Sequence, residues 1–302
     1  MNIPQERIRR NMCFIPGHLP ERIAAALDDP YLDSALFDLE DLVVPYEKPN
    51  ARKNVAEAIL SGKFQAKDIE IVVRINHPST PFFQDDIAAM MPAKPEIIRI
   101  PKVESKDDVL LVEKLVAEYE KKLGYESGCV LLMSAIESPK GVLHAYEIAT
   151  SSPRMVGMAL SAADYTKDMQ MERTKEGFEL DWARGMILNS ARAAGVFVMD
   201  TSFLFQDLIA FEAEAKRARS MGFDGKTCTN AEQTKILARV FSPTPEEIVM
   251  AEKALAIEAE YLKSGKGFAQ DGDMFFDKPV VDRYRKILRI ADKLKRSSGS
   301  GF

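Results

Sequence analysis

The sequence lacks the features that mark secreted, membrane-spanning and nucleic-acid-binding proteins. Its 302 residues contain only three cysteines, Cys13, Cys129 and Cys228, with no CxxC pair, which favours reduced thiols over a disulfide framework. No apolar run approaches the roughly 18 residues that span a bilayer, and the N-terminus has no signal-peptide block. A net charge of −5 with interspersed signs disfavours a nucleic-acid surface. These absences predict a cytoplasmic globular protein.

The first 242 residues alternate between short apolar segments and amphipathic segments. The apolar segments, such as MCFIP, IEIVVRIN and VFVMD, read as strands, and SKDDVLLVEKLVAEYEKKLG has the spacing of a helix. The strands are apolar throughout, as in buried parallel sheets. A doubly wound open sheet is the alternative, but no GxGxxG follows the first strand. About eight strand–helix units predict an α/β fold, a TIM (β/α)8 barrel over residues 1–242.

The pattern changes beyond Phe241. A long helix, TPEEIVMAEKALAIEAEYLKSG, precedes the turn-rich segment GFAQDGDMFFDKP and a final helix, VVDRYRKILRIADKLKR. These segments predict a C-terminal helical extension over residues 243–296 that covers the barrel or reaches a neighbouring subunit. The last residues, 297–302, have the composition of a disordered tail.

Charged residues recur where the predicted strands end. The carboxyl ends of barrel strands converge on one face, where TIM-barrel active sites are built, whereas the turns before the strands are expected to carry no comparable set. For Asp200 and Lys226 a salt bridge between strand ends is the favoured interpretation. The strand-end residues are Glu40, Asp41, Arg74, Lys102, Glu137, Asp164, Asp200 and Lys226.

Glu137 and Asp164 are the candidate metal ligands. Each follows an apolar run, LLMSAI or VGMALSAA, and the two ends lie one strand–helix unit apart. Buried carboxylates need compensation, and oxygen ligands without His or Cys favour Mg²⁺, or Mn²⁺, over Zn²⁺. The alternative is that either side chain caps the helix that follows it.

Arg74 is the candidate anchor for an anionic substrate. Its guanidinium can present a fork to a carboxylate or to a developing enolate. The alternative is a buried ion pair with Glu40 or Asp41. Asp38, Glu40 and Asp41 are expected to divide between hydrogen bonds to metal-bound waters and contacts with Arg74 or Lys102.

Eight motifs together resemble the citrate lyase β branch of the HpcH/HpaI aldolase–citrate lyase family over residues 9 to about 290. In chain order they are RRNMCFIPG, ALFDLEDLV, IVVRIN, IIRIPK, AIESPKG, ALSAADY, FDGK and MFFDKPVVDR. The resemblance implies a TIM barrel, commonly a homotrimer, that uses Mg²⁺ to cleave a C–C bond. It also implies that Asp277, in MFFDKP, is an acid/base residue delivered into a neighbouring subunit's site.

Residues and resemblance together predict the whole site. The catalytic set is Arg74, Glu40, Asp41 and Asp277; the substrate-binding set is Arg74, Glu137 and Lys102; the metal ligands are Glu137 and Asp164.

The chain departs from the family pattern at two places, and a third position distinguishes two branches of the family. Ser161 stands where a Gly is usual, and KTCTNAEQ replaces the usual KxxINPxQ after the last strand, where contacts to a thioester arm are expected. The branch that cleaves free pyruvate aldols resembles DGEH where this chain has DLED, so its His base is absent at Asp41. That absence favours the acyl-thioester branch.

The expected activity is therefore cleavage of a 3-hydroxy-3-carboxy acyl thioester, of the citryl or citramalyl type, to a 2-oxo acid and an acetyl thioester. The thioester is carried by coenzyme A or by an acyl carrier protein, within a homotrimer or a multi-subunit lyase complex. Two alternatives remain: a Mg²⁺-dependent aldolase acting on free 4-hydroxy-2-oxo acids, and a non-catalytic subunit of a lyase complex.

Overall fold

Eight parallel strands close into a barrel in the computed structural model, which describes residues 7–297. Each strand pairs with the next, and the last pairs with the first. The predicted TIM barrel is confirmed. The strands are β1 (Asn11–Pro16), β2 (Ser34–Asp38), β3 (Glu70–Arg74), β4 (Ile97–Ile100), β5 (Leu131–Ile136), β6 (Met155–Leu160), β7 (Phe197–Asp200) and β8 (Gly225–Cys228).

Eleven α-helices follow or connect these strands within the described part of the barrel. They are α1 (Pro20–Leu27), α2 (Lys48–Leu60), α3 (Lys63–Ala66), α4 (Phe83–Met90), α5 (Lys106–Leu123), α6 (Pro139–Leu143), α7 (Ala145–Ala149), α8 (Ala162–Asp168), α9 (Asp181–Ala194), α10 (Leu208–Met221) and α11 (Ala231–Val240). Short 3-10 turns lie at Pro45–Glu47, Met91–Ala93 and Phe178–Leu180.

Local chemistry sets the limits of α5 and divides the segment after β5. Ser105 and Asp108 form a capping box that begins α5, and Gly124 ends it with a left-handed φ of 70°. The segment PKGVLHAYEIATSS, expected as one helix, is two. His144 breaks it, since its backbone leaves the helical region and its ring Nδ1 lies 2.8 Å from the carbonyl oxygen of Glu104.

Apolar side chains pack on both faces of the barrel wall. Side chains that point inward fill the barrel interior, including Met12, Phe14 and Leu36. Those that point outward pack under the helices, including Ile15 and Phe37. This two-sided burial explains why the strands read as continuous apolar runs.

Charged side chains also gather before the strands, so the expectation that these turns carry no such set was wrong. Arg9 and Glu70 form a buried bidentate pair, with Nη2–Oε1 at 2.6 Å and Nε–Oε2 at 2.9 Å. Arg154 and Glu120 form a second, with distances of 2.7 and 2.6 Å. These pairs join distant parts of the chain, which composition cannot reveal. Two further pairs are Arg7–Glu96 and Arg10–Asp33.

The chain divides into two compact units between Phe241 and Ser242. The C-terminal unit contains α12 (Pro245–Lys263), β9 (Phe268–Asp271), β10 (Met274–Asp277) and α13 (Lys278–Ser297). Its own core includes Ala254, Phe276 and Val281.

The segment expected to be only turn-rich is an antiparallel hairpin. Asp271 pairs with Met274 across a two-residue turn, which Gly272 enters with a left-handed φ of 58°. Of the tail expected to be disordered, Ser297 ends α13 and the rest lies outside the described residues. Within residues 7–297, no helix combines the length and apolarity that a membrane crossing requires.

Candidate active site

A buried carboxylate–guanidinium pair links the carboxyl ends of β2 and β3. Asp38 and Arg74 occupy opposite positions in the strand register, and Arg74 Nε and Nη2 donate to the two Asp38 oxygens at 2.6 and 2.8 Å. Burial would raise the pKa of Asp38, but Arg74 outweighs it and holds that pKa below its usual value. The alternative expected for Arg74, an ion pair with Glu40 or Asp41, is confirmed for Glu40 at 3.0 Å. Its main partner is Asp38.

Arg74 retains capacity for a ligand. Its contacts use Nε, Nη1 and Nη2 once each, and a guanidinium has five N–H donors. Its charged face lies over the Phe14 ring at 4.8 Å. Two of its N–H groups therefore lie outside these contacts.

Lys102 lies between Glu40 and Asp41. Its Nζ is 2.5 Å from Glu40 Oε1 and 2.8 Å from Asp41 Oδ2. Burial raises the pKa of Glu40, whereas for Lys102 the two carboxylates outweigh burial and raise the ammonium pKa. The Lys102 backbone has a φ of 50°, a left-handed conformation that costs a residue other than glycine roughly 1–2 kcal/mol. Strain of this kind clusters at functional sites.

Glu137, directly after β5, is buried without full compensation. Glu137 is only 3% exposed, and its Oε1 has no hydrogen-bond partner among the residues that the structure describes. Burial and the nearby Glu40 charge raise the pKa of Glu137 to about 7, against the opposing effect of Arg74 and Arg99. An unsatisfied buried carboxylate oxygen is costly, and a bound divalent cation would compensate it.

Arg99, in the middle of β4, was missed in the sequence. It is fully buried, and its Nη2 donates to Ser161 Oγ at 3.2 Å. Within the described part of the chain its Nε has no hydrogen-bond partner, and its guanidinium lies 5.3 Å from the Phe14 ring that also faces Arg74. Burial lowers the pKa of Arg99 to about 10. The available signal was a charged residue inside the apolar run IIRI.

Asp164 lies in the first turn of α8, after the strand next to Glu137. The strand ends are joined by a hydrogen bond from Ser161 N to Ile136 O at 2.9 Å. The Asp164 side chain is 34% exposed and 3.9 Å from Lys167. Thus one candidate ligand is buried and the other is accessible.

The donor set fits Mg²⁺. Among residues 7–297 no cluster of three or more His, Cys, Asp or Glu side chains is arranged to hold a metal. Mg²⁺ does not require one, since it usually binds one or two carboxylates and keeps waters and substrate oxygens. The partnerless Oε1 of Glu137 and the accessible Asp164 meet that requirement.

The predicted salt bridge between Asp200 and Lys226 is confirmed. Lys226 Nζ lies 2.8 Å from Asp200 Oδ2 and 2.8 Å from Glu214 Oε2, and Arg184 also binds both carboxylates. This network is structural in character, because every one of its charges is paired.

A cavity of about 710 Å³ opens beside the charged cluster. Glu40, Asp41 and Lys102 form part of its wall, with His77 and Phe82 from the β3–α4 loop. The other predicted barrel residues do not line it, so the cavity extends away from Glu137. Lys102 is therefore accessible to a molecule bound in this cavity.

Asp277 belongs to the C-terminal unit, where it ends β10. Its Oδ1 accepts a hydrogen bond from Val280 N at 3.1 Å, so it caps the start of α13. This contact agrees with an ordinary capping role within its own unit and leaves the second carboxylate oxygen for other contacts.

Comparisons with known proteins agree with this geometry. The model of the HpcH/HpaI aldolase/citrate lyase family matches residues 10–231. The chain belongs to this family. The citrate lyase subunit beta of Leuconostoc mesenteroides is 40% identical over 291 residues, covering 95% of this chain and 94% of the relative. The resemblance read from the motifs is confirmed, and with it the enzyme class, a lyase.

Two further proteins widen the comparison. A (3S)-malyl-CoA thioesterase of Cereibacter sphaeroides is 33% identical and covers 86% of each chain. The protein CitE from Mycobacterium tuberculosis, solved in complex with magnesium, acetoacetate and coenzyme A, has a TM-score of 0.76 and 26% identity. That match covers 93% of this chain and 97% of CitE.

Proposed function

We propose that the chain cleaves a 3-hydroxy-3-carboxy acyl thioester, of the citryl or citramalyl type, to a 2-oxo acid and an acetyl thioester with Mg²⁺ as cofactor. The observation that carries the proposal is the partnerless, buried Oε1 of Glu137 at the carboxyl end of β5, within the field of Arg74 and Arg99. A carboxylate in this state suits a site completed by a cation and an anionic substrate.

Glu137 and Asp164 would hold the metal. The oxygen-only donor set supports this assignment, as does the magnesium in the CitE complex. When bound, Mg²⁺ supplies Lewis-acid chemistry, lowering the pKa of a substrate hydroxyl and drawing charge from neighbouring oxygens.

Arg74 and Lys102 bind the anionic substrate in this scheme. Arg74 has two N–H donors beyond its contacts with Asp38 and Glu40, and a guanidinium uses such donors to bind a carboxylate. Lys102 brings a second positive charge to the cavity wall, and Glu40 and Asp41 fix its position. Both cations are therefore oriented before the substrate arrives, which reduces reorganisation during the reaction.

The reaction needs a base and a place for developing charge. A carboxylate, for which we propose Asp277 of a second copy of the chain, takes the proton of the substrate hydroxyl. The bond between the hydroxyl oxygen and its carbon becomes the carbonyl of the 2-oxo acid. At the same time the C–C bond between that carbon and the acetyl portion breaks, and its electron pair forms the enolate of the acetyl thioester. Return of the proton from the carboxylic acid to the enolate carbon completes the acetyl thioester. Arg74 stabilises the negative charge as it shifts.

The carrier and the assembly belong to the same proposal. Coenzyme A and an acyl carrier protein present the same phosphopantetheine thioester, and the coenzyme A bound to CitE supports this class of substrate. A homotrimer would bring Asp277 of one copy to the barrel of the next. The relative described as a subunit beta supports a place in a multi-subunit lyase complex.

An assay over a small thioester panel tests the proposal. Purified protein receives citryl-, citramalyl- and malyl-thioesters with Mg²⁺ or with EDTA, and the 2-oxo acid, acetyl thioester and free thiol are measured separately. We expect a 2-oxo acid and an acetyl thioester in equal amounts, only with Mg²⁺. Glu137→Gln should abolish both products. Glu113→Gln, an isosteric change on α5 away from the strand ends, is the matched control.

Other product patterns contradict the proposal. Free thiol without a 2-oxo acid indicates a thioesterase, the activity named for the Cereibacter relative. Cleavage of free 4-hydroxy-2-oxo acids but not of thioesters indicates an aldolase. No turnover of any substrate, with intact Mg²⁺ binding, indicates a non-catalytic subunit.

A further inference from the structure

The turn from β6 into α8 is held by hydrogen bonds from three other strands or their ends. Ser161 N donates to Ile136 O of β5 at 2.9 Å. Arg99 Nη2, from β4 across the barrel interior, donates to Ser161 Oγ at 3.2 Å. Ala162 N donates to the hydroxyl of Thr201, just beyond β7, at 2.9 Å. The turn therefore has little freedom to shift.

Thr201 is itself fixed by buried charge. It is 1% exposed, and Lys226 Nζ donates to its carbonyl oxygen at 2.5 Å. The same ammonium group is 2.8 Å from both Asp200 and Glu214. A fully buried ammonium between two carboxylates cannot move without losing both, so the Thr201 backbone, which carries the acceptor hydroxyl, is held in place.

The contact between Thr201 and Ala162 matters because α8 is short. The helix has seven residues, and the amide of Ala162 is among the first four, which have no acceptor inside a helix. Thr201 supplies that acceptor. Asp164 lies two residues further along the same first turn, so the orientation of its carboxylate depends on where this turn is held.

We propose that Thr201 is a positioning residue for Asp164 in the metal site, with the Arg99–Ser161 contact holding the other side of the turn. The inference rests on the proposed Mg²⁺ role of Asp164. It gives the Asp200–Lys226–Glu214 network a task beyond stability: the network anchors Thr201, and Thr201 anchors the helix that carries a metal ligand. Metal carboxylates require such support from the groups around them.

Mg²⁺ titration calorimetry on the full chain tests this role. Thr201→Val keeps the shape but removes the acceptor, whereas Thr201→Ser retains it. We expect Thr201→Val to weaken Mg²⁺ binding roughly ten- to a hundredfold and Thr201→Ser to stay within about threefold of wild type. In the lyase assay, the Mg²⁺ concentration for half-maximal activity should rise more than kcat at saturating Mg²⁺ falls.

Thr227→Val is the matched control. Thr227 is equally buried, and its hydroxyl donates to Asp200 O at 3.1 Å, on β8 rather than toward α8. Its substitution removes the same group from the same region without touching the turn. We expect unchanged Mg²⁺ affinity, whatever the change in melting temperature.

Ser161→Ala provides a second variant, at a half-buried position, that decides the matter if Thr201→Val does not fold. We expect it to weaken Mg²⁺ binding in the same direction, by a smaller factor. Wild-type affinity in folded Thr201→Val, or in Ser161→Ala where only that variant folds, overturns the inference. An equal loss in Thr227→Val also overturns it, as a general packing effect. A wild-type chain that binds no Mg²⁺ contradicts the proposed metal site itself.

Discussion

The two ends of the barrel differ in how completely their buried charged groups are paired. Before the strands, Arg9 and Glu70 pair bidentately, and Glu120 accepts from both Arg154 nitrogens and from two backbone amides. Toward the other end Asp200 and Lys226 are paired as well, but Glu137 Oε1 and Arg99 Nε are buried without hydrogen-bond partners among residues 7–297. In the first arrangement every one of these charged groups is paired, whereas in the second some hydrogen-bonding capacity is unused.

This difference separates stability from function within one sheet. A buried pair with complete hydrogen bonding repays its desolvation, and a partnerless buried group does not. The end before the strands therefore contributes to folding, while the end after the strands keeps charges that a cation and an anionic substrate would complete.

Removing one partner of a buried ion pair at the end before the strands should give the largest loss of stability. Glu120→Gln leaves the Arg154 guanidinium buried without its countercharge, which should cost about 3–5 kcal/mol in the free energy of unfolding. Activity per folded molecule should not change. Denaturant unfolding and the lyase assay check the two statements. Glu113→Gln, whose carboxylate is 3.8 Å from Arg154 and partly exposed, should cost less than about 1 kcal/mol.

Substituting Arg74, at the end after the strands, should mainly reduce activity. Arg74→Lys replaces a planar, multiply bonded group by a single ammonium, so kcat/KM should fall roughly a hundredfold or more. Arg192→Lys is the control, since Arg192 makes an equally bidentate pair with Asp224 just before β8. An equal loss of activity in both variants would remove the distinction between the two ends.

Low pH should remove the stabilising contribution of the ion pair between Glu120 and Arg154. Burial would raise the pKa of Glu120, but Arg154 and the amides of Val130 and Gly128 outweigh it and lower the pKa from 4.5 to about 2. Because the folded-state value is the lower one, the contribution is complete above pH 4.5 and disappears as the pH falls toward 2. The stability difference between wild type and Glu120→Gln should therefore narrow over that range. A constant difference would contradict the assignment.

The smallest expected effect concerns the backbone at Lys102. Lys102→Gly and Lys102→Ala lose the same ion pairs, but glycine relieves the left-handed strain, so the glycine variant should be more stable by about 1 kcal/mol. Lys94 has the same conformation, with a φ of 58°, at an exposed position. Its glycine and alanine variants should differ similarly, while only the Lys102 variants lose activity. Equal stability of Lys102→Gly and Lys102→Ala would remove the strain argument.

The sequence revealed the barrel and much of the functional end for a simple reason. Strands buried on both faces are continuous apolar runs, so Arg74 and Glu137 stood out as charges where runs end. The sequence did not reveal the pairing of these charges: Asp38 and Arg74 each end a strand, and only the register shows that they face each other.

Other features depend on distance in space. Arg9 and Glu70 are 61 residues apart in the sequence, and no local sequence pattern predicts their contact. Arg99 reads as one residue of a strand, since its depth inside the barrel is not encoded in the run IIRI. The contact between Thr201 and Ala162 is hidden for the same reason.

The most direct test of the account is the stability of Glu137→Gln in EDTA at pH 8, measured beside Glu120→Gln. Burial raises the pKa of Glu137 to about 7, so above that pH its charge costs folding free energy that a neutral Gln does not. We predict that Glu137→Gln is more stable than wild type by about 1–3 kcal/mol and inactive with Mg²⁺, whereas Glu120→Gln is less stable and active. Loss of stability in Glu137→Gln, or retained activity, would contradict the account.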